Sequence, residues 1–200
     1  MKKTIQIAIR TTIVTLILMG FLYPFVLTGL AQVLFPWRAN GSLLTNDTGR
    51  LVGSELIAQA FTNPAYFQPR PSAAGAQGYD ATSSGGSNFG PTSKKLRDRI
   101  AEQLNELKKN NPDMPGPVPV ELVTTSGSGL DPHISPEAAL WQVPRIAHTR
   151  KTEPQDIRAI VQANIEGRQL GLLGEPRVNV LLLNLALDRG FGHPMPMKGR

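Results

Sequence analysis

The stretch TTSGSGLDPHIS sets Ser128, Asp131 and His133 within six positions, and a serine, an acid and an imidazole are the parts of a hydrolytic triad. Triad members come from separate elements so that their side chains can converge. Ser126 also stands where the first glycine of a nucleophile elbow belongs. The spacing favours a tight turn leading from a strand into a helix, with Asp131 and Ser135 bonding free backbone N–H groups. An anchored serine hydrolase using Ser128 and His133 stands as the third functional reading.

Metal chemistry finds less to work with. His133, His148 and His193 lie far apart, and none has a second histidine or a carboxylate at ligand spacing on a helix. The glycine-rich run SSGGSN, with Ser84, Gly85, Gly86, Ser87 and Asn88, is the candidate for nucleotide binding, because such loops can present N–H groups to phosphates. Neither a phosphate-loop motif nor a dinucleotide fingerprint accompanies it, so from its residues alone it reads as a turn.

The anchor is plainer. Between Arg10 and Arg38 run 27 uncharged residues, TTIVTLILMGFLYPFVLTGLAQVLFPW. At ~1.5 Å per residue a helix of that length exceeds the ~30 Å hydrocarbon core of a bilayer. Residues 11–34 are therefore expected to form one transmembrane helix disturbed only near Pro24, with 1–10 as a cytoplasmic N-terminus. Gly29-Leu30-Ala31 offers a signal-peptidase site, but the apolar run continues past it, which favours an uncleaved anchor. Lys2, Lys3 and Arg10 precede the helix without an acid among them, so the N-terminus is placed inside and residues 38–200 outside the cytoplasm. Gly20, Pro24, Thr28 and Gly29 would let another membrane helix approach closely.

All 15 acidic residues and all but three of the 21 basic ones lie beyond the anchor. That mild positive excess, with no basic-aromatic stripe, argues against nucleic acid. The absence of cysteine excludes disulfides and thiol chemistry.

Residues 38–200 suit one domain of mixed α/β (α+β) class, so the whole is a single N-terminal transmembrane helix plus a small soluble domain. GSELIAQAF (53–61) reads as a short helix. Residues 62–93 are dense in Gly, Pro, Ser and Asn and read as a long loop. Its aromatics, with Phe61 at its edge, call for an ordered loop that packs them down and shows a surface to a partner. Thr92 or Ser93 caps a helix carrying Leu96, Ile100, Leu104 and Leu107, and VPVELVT (118–124) alternates like a strand. Ser135 caps a helix that Pro144 should kink or end. Thr152 to Gln155 has capping-box spacing ahead of a stripe through Ile157, Ile160, Val161, Asn164 and Ile165. A strand starts at Val178, and periodicity leaves 183–188 open between strand and helix.

These blocks, in this order, resemble the C subunits (KdpC) of the bacterial Kdp potassium-transporting ATPases. The resemblance runs through TGLAQVLFPWRANGSL, GSELIAQAFTNPAYFQPRPSA, YDATSSGGSNFGPT, VTTSGSGLDPHISPEAA and GEPRVNVLLLNLALD, with Ala58 where the family pattern has glycine. It implies an inner-membrane complex of a potassium-selective channel-like subunit, a P-type ATPase subunit, a small membrane subunit and this anchored one. The C subunit is then a non-catalytic chaperone, needed for assembly and for raising the ATPase subunit's affinity for ATP, with ATP entering only through that subunit. The resemblance also implies a nucleotide role for Ser84–Asn88. Direct ATP contact would put the domain in the cytoplasm, whereas the charges put it outside. A cytoplasmic nucleotide-binding regulatory subunit is therefore the second reading.

Overall fold

In lipid every backbone polar group must find its partner within the chain, and a helix achieves this locally. In the computed structural model the apolar run lies in one helical stretch, Lys2–Leu34, long and apolar enough to cross a membrane. The structure describes residues 1–194 except Asp47, Asp113 and Pro115. Two compact units are present, Met1–Leu43 and Leu44–Arg200.

The first unit contains helices α1 (Lys2–Ile17), α2 (Tyr23–Leu34) and the short α3 (Pro36–Ala39). The helix starts at Lys2, so residues 2–10 are helical as well. Between α1 and α2 the backbone widens into a π turn, Leu18–Leu22, in which the Tyr23 N–H reaches back to the Leu18 carbonyl. Pro24 sits at the start of α2 and has no N–H for the Gly20 carbonyl, so the ladder shifts there by one residue instead of breaking.

In the second unit, β1 (Leu43–Thr45, which begins at the boundary) pairs with β2 (Leu51–Ser54). Helix α4 spans Lys94–Asn110, α5 Pro136–Arg150, α6 Pro154–Ala163 and α7 Val180–Phe191. Three very short strands, β3 (His133–Ile134), β4 (Ile165–Glu166) and β5 (Arg177–Asn179), form an antiparallel sheet in the order β3-β5-β4. Val178 is the centre of its register, opposite Ile134 on one side and Ile165 on the other. The core gathers Phe67, Ile134, Ile146, Ile157, Val161, Val178, Leu183 and Leu187 from the sheet, α5, α6, α7 and the long loop. The mixed α+β class expected from the sequence is what forms.

Several local expectations are corrected. Residues 53–61 form no helix. After β2 the Ser54 hydroxyl accepts from Leu56 N–H at 3.1 Å, and the Ala58 N–H goes to the Leu130 carbonyl at 3.0 Å, so local side-chain bonding and a distant carbonyl take the helical donors. VPVELVT is not a strand but a 3₁₀ turn at Val120–Leu122. Prolines at 117 and 119 remove the donors a ladder needs, and the adjacent Leu122 and Val123 are both buried while Val120 stays exposed. Pro144 does not end α5, which runs on to Arg150 and closes at Lys151 in the left-handed conformation (φ 56°). The capping box at Thr152 does not form. Glu153 occupies the N-cap position of α6, and the buried Thr152 hydroxyl has no partner.

The 183–188 ambiguity resolves as helix. Asn179 ends β5 and turns the chain, its Oδ1 accepting from the N–H groups of Leu181 and Leu182. Ser135 caps α5 through Ala138 N–H at 3.1 Å, as its sequence context predicts. Ser93 holds the N-cap position of α4 without a side-chain bond.

Candidate functional site

The long loop from 62 to 93 has no helix or strand, so its backbone groups need other partners where it crosses the core. They come from helix side chains. Asn184 of α7 bonds both the N–H and the carbonyl of Phe67, and Gln142 of α5 does the same for Gln68. Arg145, one turn on from Gln142, donates to the carbonyls of Pro64 and Tyr66, to Asn111 Oδ1 and to Gln142 Oε1. Burial pulls its pKa down to about 10, which still leaves it charged at neutral pH. Tyr66 donates to Asp188 at 2.8 Å, and its phenol is pushed up to about 12 by burial and then by that carboxylate. Phe67 is fully buried, whereas Phe89, expected to pack down, is largely exposed.

The SSGGSN turn lies directly on the TTSGSG turn. Gly85 N–H and the Ser84 hydroxyl both donate to the Ser128 carbonyl, at 2.8 and 3.0 Å, and Thr125 donates to the Ser87 hydroxyl. The approach is close: a Cβ on Gly86 would lie 2.9 Å from the Gly127 carbonyl oxygen, and one on Gly129 would lie 2.6 Å from that of Gly85. Neither Gly85 nor Gly86 has positive φ, while Asn88 does (φ 50°). The need for glycine at 86 is therefore contact with a second turn rather than an unusual backbone conformation. Two donors that a phosphate would take, the Gly85 N–H and the Ser84 hydroxyl, are already spent on Ser128.

Ser128, Asp131 and His133 do not assemble into a relay. The Ser128 hydroxyl accepts from Leu130 N–H, and Asp131 accepts from His133 N–H at 3.0 Å as the turn reading requires. Arg70 approaches Asp131 at 3.6 Å, and the His133 ring lies 3.5 Å from it. Burial raises the Asp131 pKa, but the bonds from His133 and the charges of His133 and Arg70 outweigh it, and the net shift is downward. His148 lies at the exposed end of α5, and His193 bonds Asp188 at 2.8 Å. No group of three or more His, Asp or Glu placed to hold a metal is found among the described residues.

On the anchor, Gly20 falls inside the π turn and Gly29 has open space where its side chain would be. Gly20, Pro24 and Thr28 recur every four residues and so share one helix face. What the residue spacing concealed was the clamp of Asn184, Gln142 and Arg145. Its only trace is an unusual run of amides and one cation among apolar helix positions.

Comparison with known proteins bears on the whole chain. The family model described as "KdpC: K+-transporting ATPase, c chain" matches residues 5–189. A potassium-transporting ATPase KdpC subunit of Myxococcus xanthus is 59% identical over 196 residues, covering 98% of this chain and 92% of the relative. Its counterpart in Koribacter versatilis is 50% identical over 197 residues, covering 98% and 100%, and that of Rhodospirillum rubrum 53% over 191 residues, covering 96% and 98%. The chain belongs to the KdpC family, the C subunits of the multi-subunit potassium-transporting ATPase.

Proposed function

We propose that this subunit is itself non-catalytic, with its N-terminus in the cytoplasm and its soluble domain outside. There the domain docks on the potassium-selective subunit. Its anchor packs among the membrane subunits, and the assembled C subunit raises the P-type subunit's affinity for ATP. The family match over residues 5–189 carries this reading. An outside domain acts on ATP affinity by favouring one conformation of its partners, and nucleotide contact is not required. Two further observations support it: the cations gathered in the N-terminal turns of the helix, ahead of its apolar run, and the Ser84–Gly85 donors already bonded to Ser128. The second reading, direct nucleotide binding by Ser84–Asn88 in a cytoplasmic domain, draws on the glycine-rich loop and on the nucleotide role that the family resemblance implies.

A reporter active only outside the cytoplasm, fused after Arg200, is expected to be active. Activity confined to a cytoplasmic reporter would overturn the placement. Titration of the full chain in nanodiscs with Mg-ATP is expected to show no micromolar binding. Micromolar binding that disappears in Gly86→Asp would establish the second reading instead.

A further inference from the structure

Beyond β4 the chain runs out into a hairpin and returns as β5. Glu166 pairs with Arg177 in register, their side chains 2.8 Å apart. Further out, Arg168 bonds both carboxylate oxygens of Glu175, at 2.8 and 2.6 Å. Beyond that, the Gln169 N–H donates to the Leu173 carbonyl at 2.9 Å, and the Leu172 N–H closes the tip on the Gln169 carbonyl at 3.1 Å. The finger is thus stapled at every level.

Its tip has the wrong residues for water. Leu170 and Leu172 are 91% and 80% exposed, the most exposed large apolar side chains of the second unit among the described residues, and Leu173 beside them is 61% exposed. Leu170 and Gly171 occupy the two central positions with φ of 53° and 73°. Two left-handed residues in succession define the turn that fits a hairpin's twist, and its preferred first residue is Asn, Asp or Gly. A leucine there is strained, and among the described residues nothing covers its side chain to compensate. Asparagine would relieve the strain and suit the solvent. The leucine therefore serves something outside this chain.

We infer that Leu170–Leu173 is a preformed apolar knob that seats in an apolar socket on another chain of the potassium-transporting ATPase. The inference rests on the assembly role proposed above. Protein is favoured over lipid on three grounds. Both arginines of the finger pair with glutamates, so it offers no net positive charge to headgroups. The tip, Leu-Gly-Leu-Leu, carries none of the Lys or Arg that surface-inserting elements combine with their apolar residues. A rigid shape also matches a fixed socket, which lipid does not offer. Three leucines fall far short of the ~1,200 Å² of a stable interface, so the knob is a local anchor point added to the membrane helix, which keeps it near its partner.

The test uses the complete complex, purified through a tag on its ATPase subunit. The variant Leu170→Asn with Leu172→Ser keeps the turn, and its thermal midpoint is expected to match or exceed wild type. Its retention through detergent washing should fall on the order of tenfold or more. A single Leu172→Trp reporter should shift its emission to the blue only when the other subunits are present. Undiminished retention of the double variant overturns the inference. So does a blue shift in nanodiscs holding this chain alone, which marks lipid, or a cross-link from position 172 to a second copy. A wild-type chain that fails to co-purify sinks the assembly reading and this inference together. Wild-type retention with equal variant retention sinks this one alone.

Discussion

The carboxamide of Asn184 takes both backbone polar groups of Phe67, accepting from the N–H at 2.8 Å and donating to the carbonyl at 3.0 Å. Gln142 repeats the arrangement on Gln68 from the opposite helix, at 2.8 and 3.1 Å. The two amides do for a strandless loop what a neighbouring strand does in a sheet. They let an irregular segment pass through the core with its backbone satisfied, and so place Phe67 where it is fully buried.

Removing one amide should therefore loosen the loop as a unit. In Gln142→Leu, Gln68 loses both partners and Arg145 loses one, so the expected destabilisation is roughly 2–4 kcal/mol. Urea unfolding should show the loss, and limited proteolysis should open the chain near residues 62–70. A loss under ~0.5 kcal/mol would mean that the clamp carries little.

Gly86→Ala and Gly85→Ala should behave differently. A Cβ at 86 meets the Gly127 carbonyl at 2.9 Å, whereas one at 85 meets open space, and neither residue has positive φ. The first substitution is expected to destabilise by about 1–3 kcal/mol and the second by less than ~0.5 kcal/mol. Equal thermal midpoints for the two variants would contradict the stacked-turn geometry.

Asn179 ends β5, caps α7 and donates to the Glu55 carbonyl at 2.8 Å, so three separate segments depend on it. Asn179→Ala should cost more than the ~1 kcal/mol typical of a lost cap, and more than Ser135→Ala on α5. Comparing the two variants by chemical unfolding tests the ranking.

The depressed pKa of Asp131 has a signed consequence. The folded state holds this carboxylate below its ordinary value, so the unfolded state binds the proton more readily. Its contribution to stability is fully present above the usual carboxylate range and is lost as pH falls through the folded pKa. Asp131→Asn should therefore be less stable than wild type at neutral pH, with the gap closing towards strong acid. Denaturation midpoints measured from pH 7 downward check both the sign and the window.

Periodicity and turn chemistry made the anchor, α4, the Ser135 cap and the α6 stripe as far as Val161 legible, whereas Asn164 only follows the helix and Ile165 belongs to β4. In each case the determining contacts lie within a few residues or follow directly from burial on one face. Where the expected element did not form, a distant partner or a nearby proline had taken over. The helical look of 53–61 lost to a bond with Leu130, and the alternation of 118–124 lost to prolines that deny a ladder its donors. The π turn was foreshadowed by Pro24 but lies in the turn before it, because a proline disturbs the carbonyl four residues back.

The candidate site divides the same way. By itself the sequence determined a membrane-length apolar helix, a mixed α+β domain and, through its ordered blocks, the family. Composition, period and motif order are properties of the linear chain, and they need no knowledge of what touches what. Only the tertiary structure decided that SSGGSN is braced on TTSGSG, that Ser128 and His133 stay apart, and that amides from α5 and α7 hold the long loop. Those contacts join residues tens to more than a hundred positions apart, and no local pattern encodes a partner at that distance.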